Sequence, residues 1–166
     1  EKYSLPSHLK IIIVDTLTSH NTGKIISWKR QRFLESDSLI LEYIKHTEEA
    51  IQHIRSILKM SQTNVDLLEI GKTISQCHKY LKDYMLVSTQ LIDTCVTESI
   101  NNGAIGAKLT GSGMGGCMFA LVPESLINSV VSLLSIHNVT IYITDISQEG
   151  IKVCFYLVRY KRNRFS

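Results

Sequence analysis

Residues 103–117 read GAIGAKLTGSGMGGC, and this stretch decides how we read the whole chain. Four of the six residues from 111 to 116 are glycines, and strand-like apolar residues lie on both sides of them. A backbone with so few Cβ atoms can turn several amide N–H groups toward one point. An anion such as phosphate is the usual occupant of such a concave set of donors. The stretch therefore predicts a strand, a phosphate-binding loop and a second strand.

Residues 111–116 also satisfy the G-x-G-x-x-G pattern of dinucleotide-binding sites, but their context differs. That fingerprint opens a helix, whereas the apolar run Cys117–Val122 ends at Pro123 and predicts a strand. A Walker loop has Lys and then Ser or Thr after its last glycine, where this chain has Cys117 and Met118. The V-A-I-K, H-R-D and D-F-G motifs of protein kinases are missing from the sequence. A glycine-rich hairpin that binds nothing remains an alternative.

The composition is that of an ordinary globular domain. The 166 residues are 44% hydrophobic and 20% charged, with a formal charge of +3, which suits one domain with its own core. Basic residues concentrate at 159–164, where we favour a solvated tail over a nucleic-acid patch. The sequence has no apolar run of membrane-spanning length and no C-x-x-C pair. We therefore expect a cytoplasmic protein with reduced thiols that binds neither nucleic acid nor membrane.

Apolar spacing divides the rest of the chain into helices and strands. Asn21 and Ser88 each precede a helical pattern as candidate N-caps, and Gly103 can end the second of these helices. The predicted elements in chain order are strand 9–14, helices 21–34, 40–58, 67–84 and 88–101, strands 105–109 and 117–122, helix 123–134, and strands 139–143 and 151–157. This order predicts a single α+β domain, with a mainly antiparallel four- to five-stranded sheet and helices packed on one face.

The string GAIGAKLTGSGMGGCMFALVP at 103–123 resembles the third signature motif of the GHMP small-molecule kinases, in its mevalonate kinase form. K-L-T-G and a glycine run ending in G-G-C recur in that motif. Residues 11–22 are similar to the strand and helix that open the C-terminal half of these kinases, and residues 76–91 to the helix pair before the motif. Galactokinases usually carry Arg-Met where Lys108 and Leu109 stand here. Met114 departs from the pattern, since the family commonly has a small residue there.

The resemblance implies that residues 1–166 form a GHMP kinase C-terminal domain and that the N-terminal half lies outside this sequence. In the family that half carries the first signature motif, the P-x-x-x-G-L-G-S-S segment, the Mg²⁺-ligating carboxylate and the catalytic aspartate. Phosphoryl transfer depends on positioning and on charge neutralisation by metal and cationic groups. We therefore expect no catalytic residue and no metal ligand in this chain, and no kinase activity from it alone. ATP and Mg²⁺ are the implied cofactors of the full enzyme.

Within this chain the resemblance implies one wall of the phosphate and substrate site. The amides of residues 111–114 are the expected phosphate donors, and the hydroxyls of Thr110 and Ser112 can add to them. Lys108 can lend positive charge, although a solvated strand lysine is an equal alternative. The predicted binding residues are Lys108, Thr110, Gly111, Ser112, Gly113, Met114, Gly115 and Gly116.

The resemblance implies that the full enzyme phosphorylates the primary hydroxyl of mevalonate, in isoprenoid precursor synthesis. Its expected partners are that small-molecule substrate, ATP and the N-terminal half. A detached half-enzyme would expose apolar surface, so a homodimer is a further expectation. Two alternatives remain open. The chain can be the C-terminal half of another GHMP kinase such as galactokinase, or a non-catalytic binding subunit that keeps the fold without the chemistry.

Overall fold

A computed structural model describes residues 6, 8–60 and 65–145. In chain order its elements are β1 (Leu9–Asp15), α1 (Thr22–Leu34), α2 (Ser38–Met60), α3 (Leu67–Asp83), α4 (Gln90–Asn101), β2 (Gly106–Leu109), β3 (Cys117–Pro123), a 3₁₀ turn (Glu124–Leu126), α5 (Ile127–Leu134) and β4 (Thr140–Asp145). These elements confirm the predicted order over the described residues. The strand predicted at 151–157 and the basic stretch at 159–164 lie outside the described residues.

The four described strands form one antiparallel sheet in the order β2-β3-β1-β4. β1 pairs with β3 on one side, from Leu9 opposite Pro123 to Asp15 opposite Cys117, and with β4 on the other. Its nearly continuous apolar sequence suits this inner position, because an inner strand is covered on both sides by backbone and on at least one face by core. The predicted α+β architecture with a mainly antiparallel sheet is confirmed.

One face of the sheet carries the hydrophobic core. Ile12 of β1 and Ala120 of β3 lie opposite each other in the register and are fully buried. They belong to the same buried cluster as Ile92 of α4 and Val130 of α5. Full burial of one large aliphatic side chain contributes about 1.5–3 kcal/mol. Because Phe119 on the other face is only half-buried, the helices stabilise the sheet mainly from one side.

Side-chain hydrogen bonds cap the N-termini of α1, α3 and α4. Asn21 caps α1 as predicted, since its side chain accepts a hydrogen bond from an amide of the first turn. The prediction that Ser88 caps α4 is wrong by one residue. Thr89 is the N-cap, because the Ser88 hydroxyl donates instead to the Asp93 carboxylate. Among the described helices, none combines the length and hydropathy that a membrane span requires.

Two glycines allow α3 to lie directly against β2 at the edge of the sheet. A Cβ on Gly71 of α3 would lie 2.0 Å from the carbonyl oxygen of Ile105, the residue before β2. A Cβ on Gly106 would lie 2.4 Å from the carbonyl oxygen of Gly71. Both distances are far inside normal contact, so helix and strand approach as closely as they do only because both positions are glycine.

This close approach lets α3 take the place of a neighbouring strand for β2. The amide of Ala107 donates to Ser75 Oγ, and the amide of Leu109 donates to His78 Nδ1, both at 3.3 Å. An edge strand otherwise leaves every second amide without a partner. Side chains of α3 therefore satisfy β2 up to its last residue, where the glycine-rich segment begins.

Candidate phosphate-binding site

The glycine-rich loop, residues 110–116, joins β2 to β3. The Thr110 amide donates to the Cys117 carbonyl oxygen at 2.9 Å and closes the base of the loop. Positive φ values between 73° and 121° occur at its four glycines, Gly111, Gly113, Gly115 and Gly116. Residues with a side chain rarely adopt this left-handed region. The predicted succession of strand, glycine loop and strand is confirmed.

Hydrogen bonds from α1 and from the β1–α1 connection hold the carbonyl groups of the loop. Lys29 Nζ on α1 donates to the Ser112 carbonyl oxygen at 2.7 Å. The Gly116 carbonyl oxygen accepts two hydrogen bonds from Thr16, one from its amide at 3.0 Å and one from its hydroxyl at 2.8 Å. These carbonyl groups are therefore held by residues outside the loop, which ties the loop to α1 and to the end of β1.

The α3–α4 connection supports the loop at Gly113 and Met114. A Cβ on Gly113 would lie 2.5 Å from Val87 Cβ and 2.7 Å from the Val87 carbonyl oxygen, so the loop rests directly on Val87. The Met114 amide donates to that same oxygen at 2.6 Å, and Met114 itself has a φ of 59°. This differs from the expectation for Met114, because an amide that already donates to a carbonyl is not available to a phosphate.

The amides of Gly111, Ser112 and Gly113 keep their hydrogen-bonding capacity. Over residues 8–60 and 65–145, no protein atom accepts a hydrogen bond from any of the three. Nothing lies within 4 Å of a Cβ added to Gly111, so the space beside it is open. Consecutive amides of this kind, with left-handed residues among them, form an anion-binding concavity. The Lys29 ammonium group adds positive charge at Ser112, and burial lowers its pKa.

Lys108 and Thr110 lie where the chain enters the loop. Lys108 is on the face of β2 opposite Leu109, with its Nζ 5.7 Å from the centroid of the Phe119 ring. The same Nζ donates to the Leu109 carbonyl oxygen at 2.8 Å, and burial lowers the pKa of Lys108. Thr110 is exposed. The contribution of either side chain to ligand binding stays a prediction.

Gly115 and Gly116 pack against the β1–α1 connection. A Cβ on Gly115 would lie 2.9 Å from Thr18 Cβ, and one on Gly116 would lie 2.9 Å from His20 Cε1. An open cleft lies beside these contacts, and the Asp15 carboxylate, three hydroxyl groups and the His20 imidazole from residues 15–22 line it. Sequence analysis did not single out this connection. This cleft lies next to the end of the glycine-rich loop.

Sequence analysis also missed a polar cluster beneath the loop, formed by His78, Lys82, Ser88 and Asp93. His78 Nε2 lies 3.1 Å from Asp93 Oδ1, and Lys82 Nζ lies 2.9 Å from Asp93 Oδ2. Burial raises the pKa of Asp93, but hydrogen bonds from Ser88 and Lys82 outweigh it and hold this pKa below its ordinary value. The spacing of His78 and Lys82 places both on one face of α3, which was the available signal. The sequence around Asp93, their partner on α4, gave no such signal.

The donor set around the loop fits phosphate oxygens rather than a metal ion. The described ranges, 8–60 and 65–145, contain no group of three or more His, Cys, Asp or Glu side chains that could hold a metal. Amides, hydroxyls and an ammonium group all donate hydrogen bonds, which suits the phosphates of ATP. Mg²⁺ takes oxygen ligands, usually including a carboxylate, so the residues at this loop do not fit it.

Known proteins resemble this chain in sequence and in fold. The family model "GHMP kinases C terminal" matches residues 49–137. The mevalonate kinase of Thermococcus onnurineus (strain NA1) is 30% identical over 146 residues, which are 87% of this chain and 43% of that protein. A galactokinase of Clostridium tetani (strain Massachusetts / E88) is 33% identical over 96 residues, 57% of this chain and 24% of that protein.

A solved structure has the same fold. The crystal structure of L. major mevalonate kinase in complex with R-mevalonate superposes with a TM-score of 0.70 and 20% sequence identity. The match covers 82% of this chain and 42% of that chain. The chain thus spans less than half the length of the mevalonate kinases it matches.

Proposed function

The chain belongs to the GHMP kinase family, and from that premise we propose that it is the C-terminal portion of an ATP-dependent mevalonate kinase. The full enzyme transfers the γ-phosphoryl group of ATP to the primary hydroxyl of mevalonate in the cytoplasm. The glycine-rich loop forms one wall of its site, where the amides of residues 111–113 donate to phosphate oxygens. The observation that carries this proposal is the set of three consecutive amides without a protein partner among the described residues.

In this proposal the chain binds and orients, and the N-terminal half performs the chemistry. Backbone donors held in advance at an anion cost no reorganisation when charge develops on it. Contacts from Lys29, Thr16 and Val87 supply that rigidity here. The metal ligands, the catalytic carboxylate and the first nucleotide-binding segment belong to residues outside this sequence. Mg²⁺, when bound there, neutralises charge on the transferring phosphoryl group.

Mevalonate is the favoured substrate because mevalonate kinase relatives align over most of this chain. Galactose is the second candidate, supported by galactokinase relatives that align over a smaller part of it. The cleft beside Gly116 offers hydroxyl and imidazole groups to either molecule, since both carry hydroxyl groups. The geometry of the loop therefore does not distinguish mevalonate from galactose, and only a substrate test can separate them.

An assay of ATP turnover separates these functions. We expect this chain alone to show no turnover that depends on mevalonate, galactose or homoserine. We expect the full-length protein that contains it to phosphorylate mevalonate with a kcat/KM at least about a hundredfold above that for the other two. Mevalonate-dependent turnover by the chain alone would contradict the division of labour. A preference for galactose would mean that the full enzyme is a galactokinase. Inactivity of the full-length protein with all three substrates would favour a non-catalytic subunit.

A further inference from the structure

His78 is buried beneath the glycine-rich loop, and the proposed phosphate binding makes no use of it. The residue lies on α3, and its side chain is 7% exposed. Nδ1 lies 3.3 Å from the Leu109 amide nitrogen, and Nε2 lies 3.1 Å from Asp93 Oδ1. A backbone N–H can only donate, so Nδ1 accepts and carries no proton. The proton of the neutral ring is therefore on Nε2, where it donates to the Asp93 carboxylate.

Leu109 is the last residue of β2, and the loop begins directly after it. Its amide points to α3, while the next amide, that of Thr110, donates across to β3. The end of the strand is therefore held between α3 and β3 by these two successive hydrogen bonds. A protonated His78 has N–H groups on both ring nitrogens. Its Nδ1–H would then face the N–H of Leu109, and the hydrogen bond between Leu109 and His78 would be lost.

We propose that His78 is a positioning residue for the glycine-rich loop, which holds the end of β2 to α3 while its imidazole is neutral and releases it on protonation. The proposal rests on the proposed function and deepens it, because it makes the presentation of the phosphate-binding amides depend on pH. His78 does not contact the ligand. It acts through Leu109.

Charged and titratable groups on three elements face His78, but burial of the ring is the main reason that its neutral form is favoured. Burial lowers the pKa of His78 below its ordinary 6.5, Asp93 on α4 raises it in part, and Lys82 on α3 and Lys108 on β2 lower it. Cys77 on α3 stays a thiol at neutral pH, because burial raises its pKa. The native state therefore binds fewer protons at His78 than the unfolded chain. The stability this gives is complete above pH 6.5 and is lost as the pH falls through the native pKa.

Nuclear magnetic resonance of the ¹⁵N-labelled chain tests this role without any ligand. Between about pH 5 and about pH 7.5, we expect the amide shifts of residues 109–113 to titrate together with the ring nitrogens of His78. In His78→Asn, the side-chain oxygen takes the position of Nδ1 and accepts from Leu109 without titrating. The same amide shifts should then stay at their neutral-pH values throughout the range.

Hydrogen exchange supplies a second readout. In His78→Leu, which removes the acceptor, we expect the Leu109 amide to exchange about five- to tenfold faster relative to Ile12 of β1, the loss of one net hydrogen bond. Ser75→Ala is the matched control, because Ser75 accepts from Ala107 in the same way and does not titrate. It should speed exchange at Ala107 and leave the pH response of the loop unchanged.

Two results would overturn the proposal. One is a loop that titrates in His78→Asn as it does in the unmodified chain. The other is a loop whose shifts ignore pH while the His78 ring titrates. Both use the unmodified chain or its conservative variant, so they remain decisive if His78→Leu fails to fold. Addition of ATP at neutral pH is a separate measurement. No response of residues 111–113 to ATP, with the pH response intact, would count against the proposed function alone.

Discussion

Gly71→Ala is expected to lower the free energy of unfolding by about 3 kcal/mol, although alanine is the better helix former by about 1 kcal/mol. The new Cβ would lie 2.0 Å from the Ile105 carbonyl oxygen and 2.4 Å from Ile105 Cγ2. Only a shift of α3 or of the backbone before β2 can relieve the first of these contacts. Such a shift would also pull Ser75 and His78 away from the amides of β2, so the strand that enters the loop loses its support.

Gly23→Ala is the matched control for this prediction, because Gly23 lies in α1, another helix. Its added Cβ would lie 3.4 Å from Asn21 Oδ1, which is ordinary contact. We expect an unchanged stability or a gain of up to about 1 kcal/mol. Urea unfolding followed by circular dichroism measures both variants. Equal stability of the two variants would mean that the contact between α3 and β2 is not tight.

Gly113→Ala is expected to weaken ATP binding by the chain more than tenfold and to lower its stability by about 2–4 kcal/mol. Two costs combine at this position. Gly113 has a φ of 86°, where a side chain is strained, and its added Cβ would lie 2.5 Å from Val87 Cβ. The loop must therefore rise off Val87, which also breaks the hydrogen bond from the Met114 amide to the Val87 carbonyl oxygen.

Gly111→Ala separates the two costs. Gly111 has a similar φ of 82°, but an added Cβ would meet nothing within 4 Å. We expect only the left-handed strain, about 1–2 kcal/mol of stability, and a loss of ATP affinity of less than about threefold, since the amide itself remains. Isothermal titration calorimetry with ATP compares the variants. If both lose affinity equally, the support of the loop by Val87 plays no part in binding.

The elements of the fold could be predicted because each has a local pattern. The apolar stripes of α2 and α3, the Asn21 cap of α1 and the continuous apolar run of β1 all depend on residues within a few turns of one another. The strand order β2-β3-β1-β4 depends instead on pairings between distant segments. No local pattern records those pairings.

The glycine-rich loop could be located from the sequence, but its support could not. Its glycines predict a bend with left-handed residues, and the structure shows positive φ values at all four of them. The contacts that hold it join Lys29 to Ser112 and His78 to Leu109, pairs separated by 83 and 31 residues. Gly71 illustrates the same limit. From the sequence, a glycine within a helix predicts only a lower helix stability. The packing of Gly71 against Ile105 shows why a side chain is excluded there.

The central claim is that three neighbouring amides of this loop bind the phosphates of ATP. Titration of the ¹⁵N-labelled chain with ATP, followed by amide chemical shifts, tests it most directly. We predict saturable shifts at Gly111, Ser112 and Gly113, with smaller ones at Met114, whose amide already donates to Val87, and none at Ile12 in the core. Unchanged shifts at the three amides under saturating ATP, or shifts confined to other parts of the chain, would contradict the account.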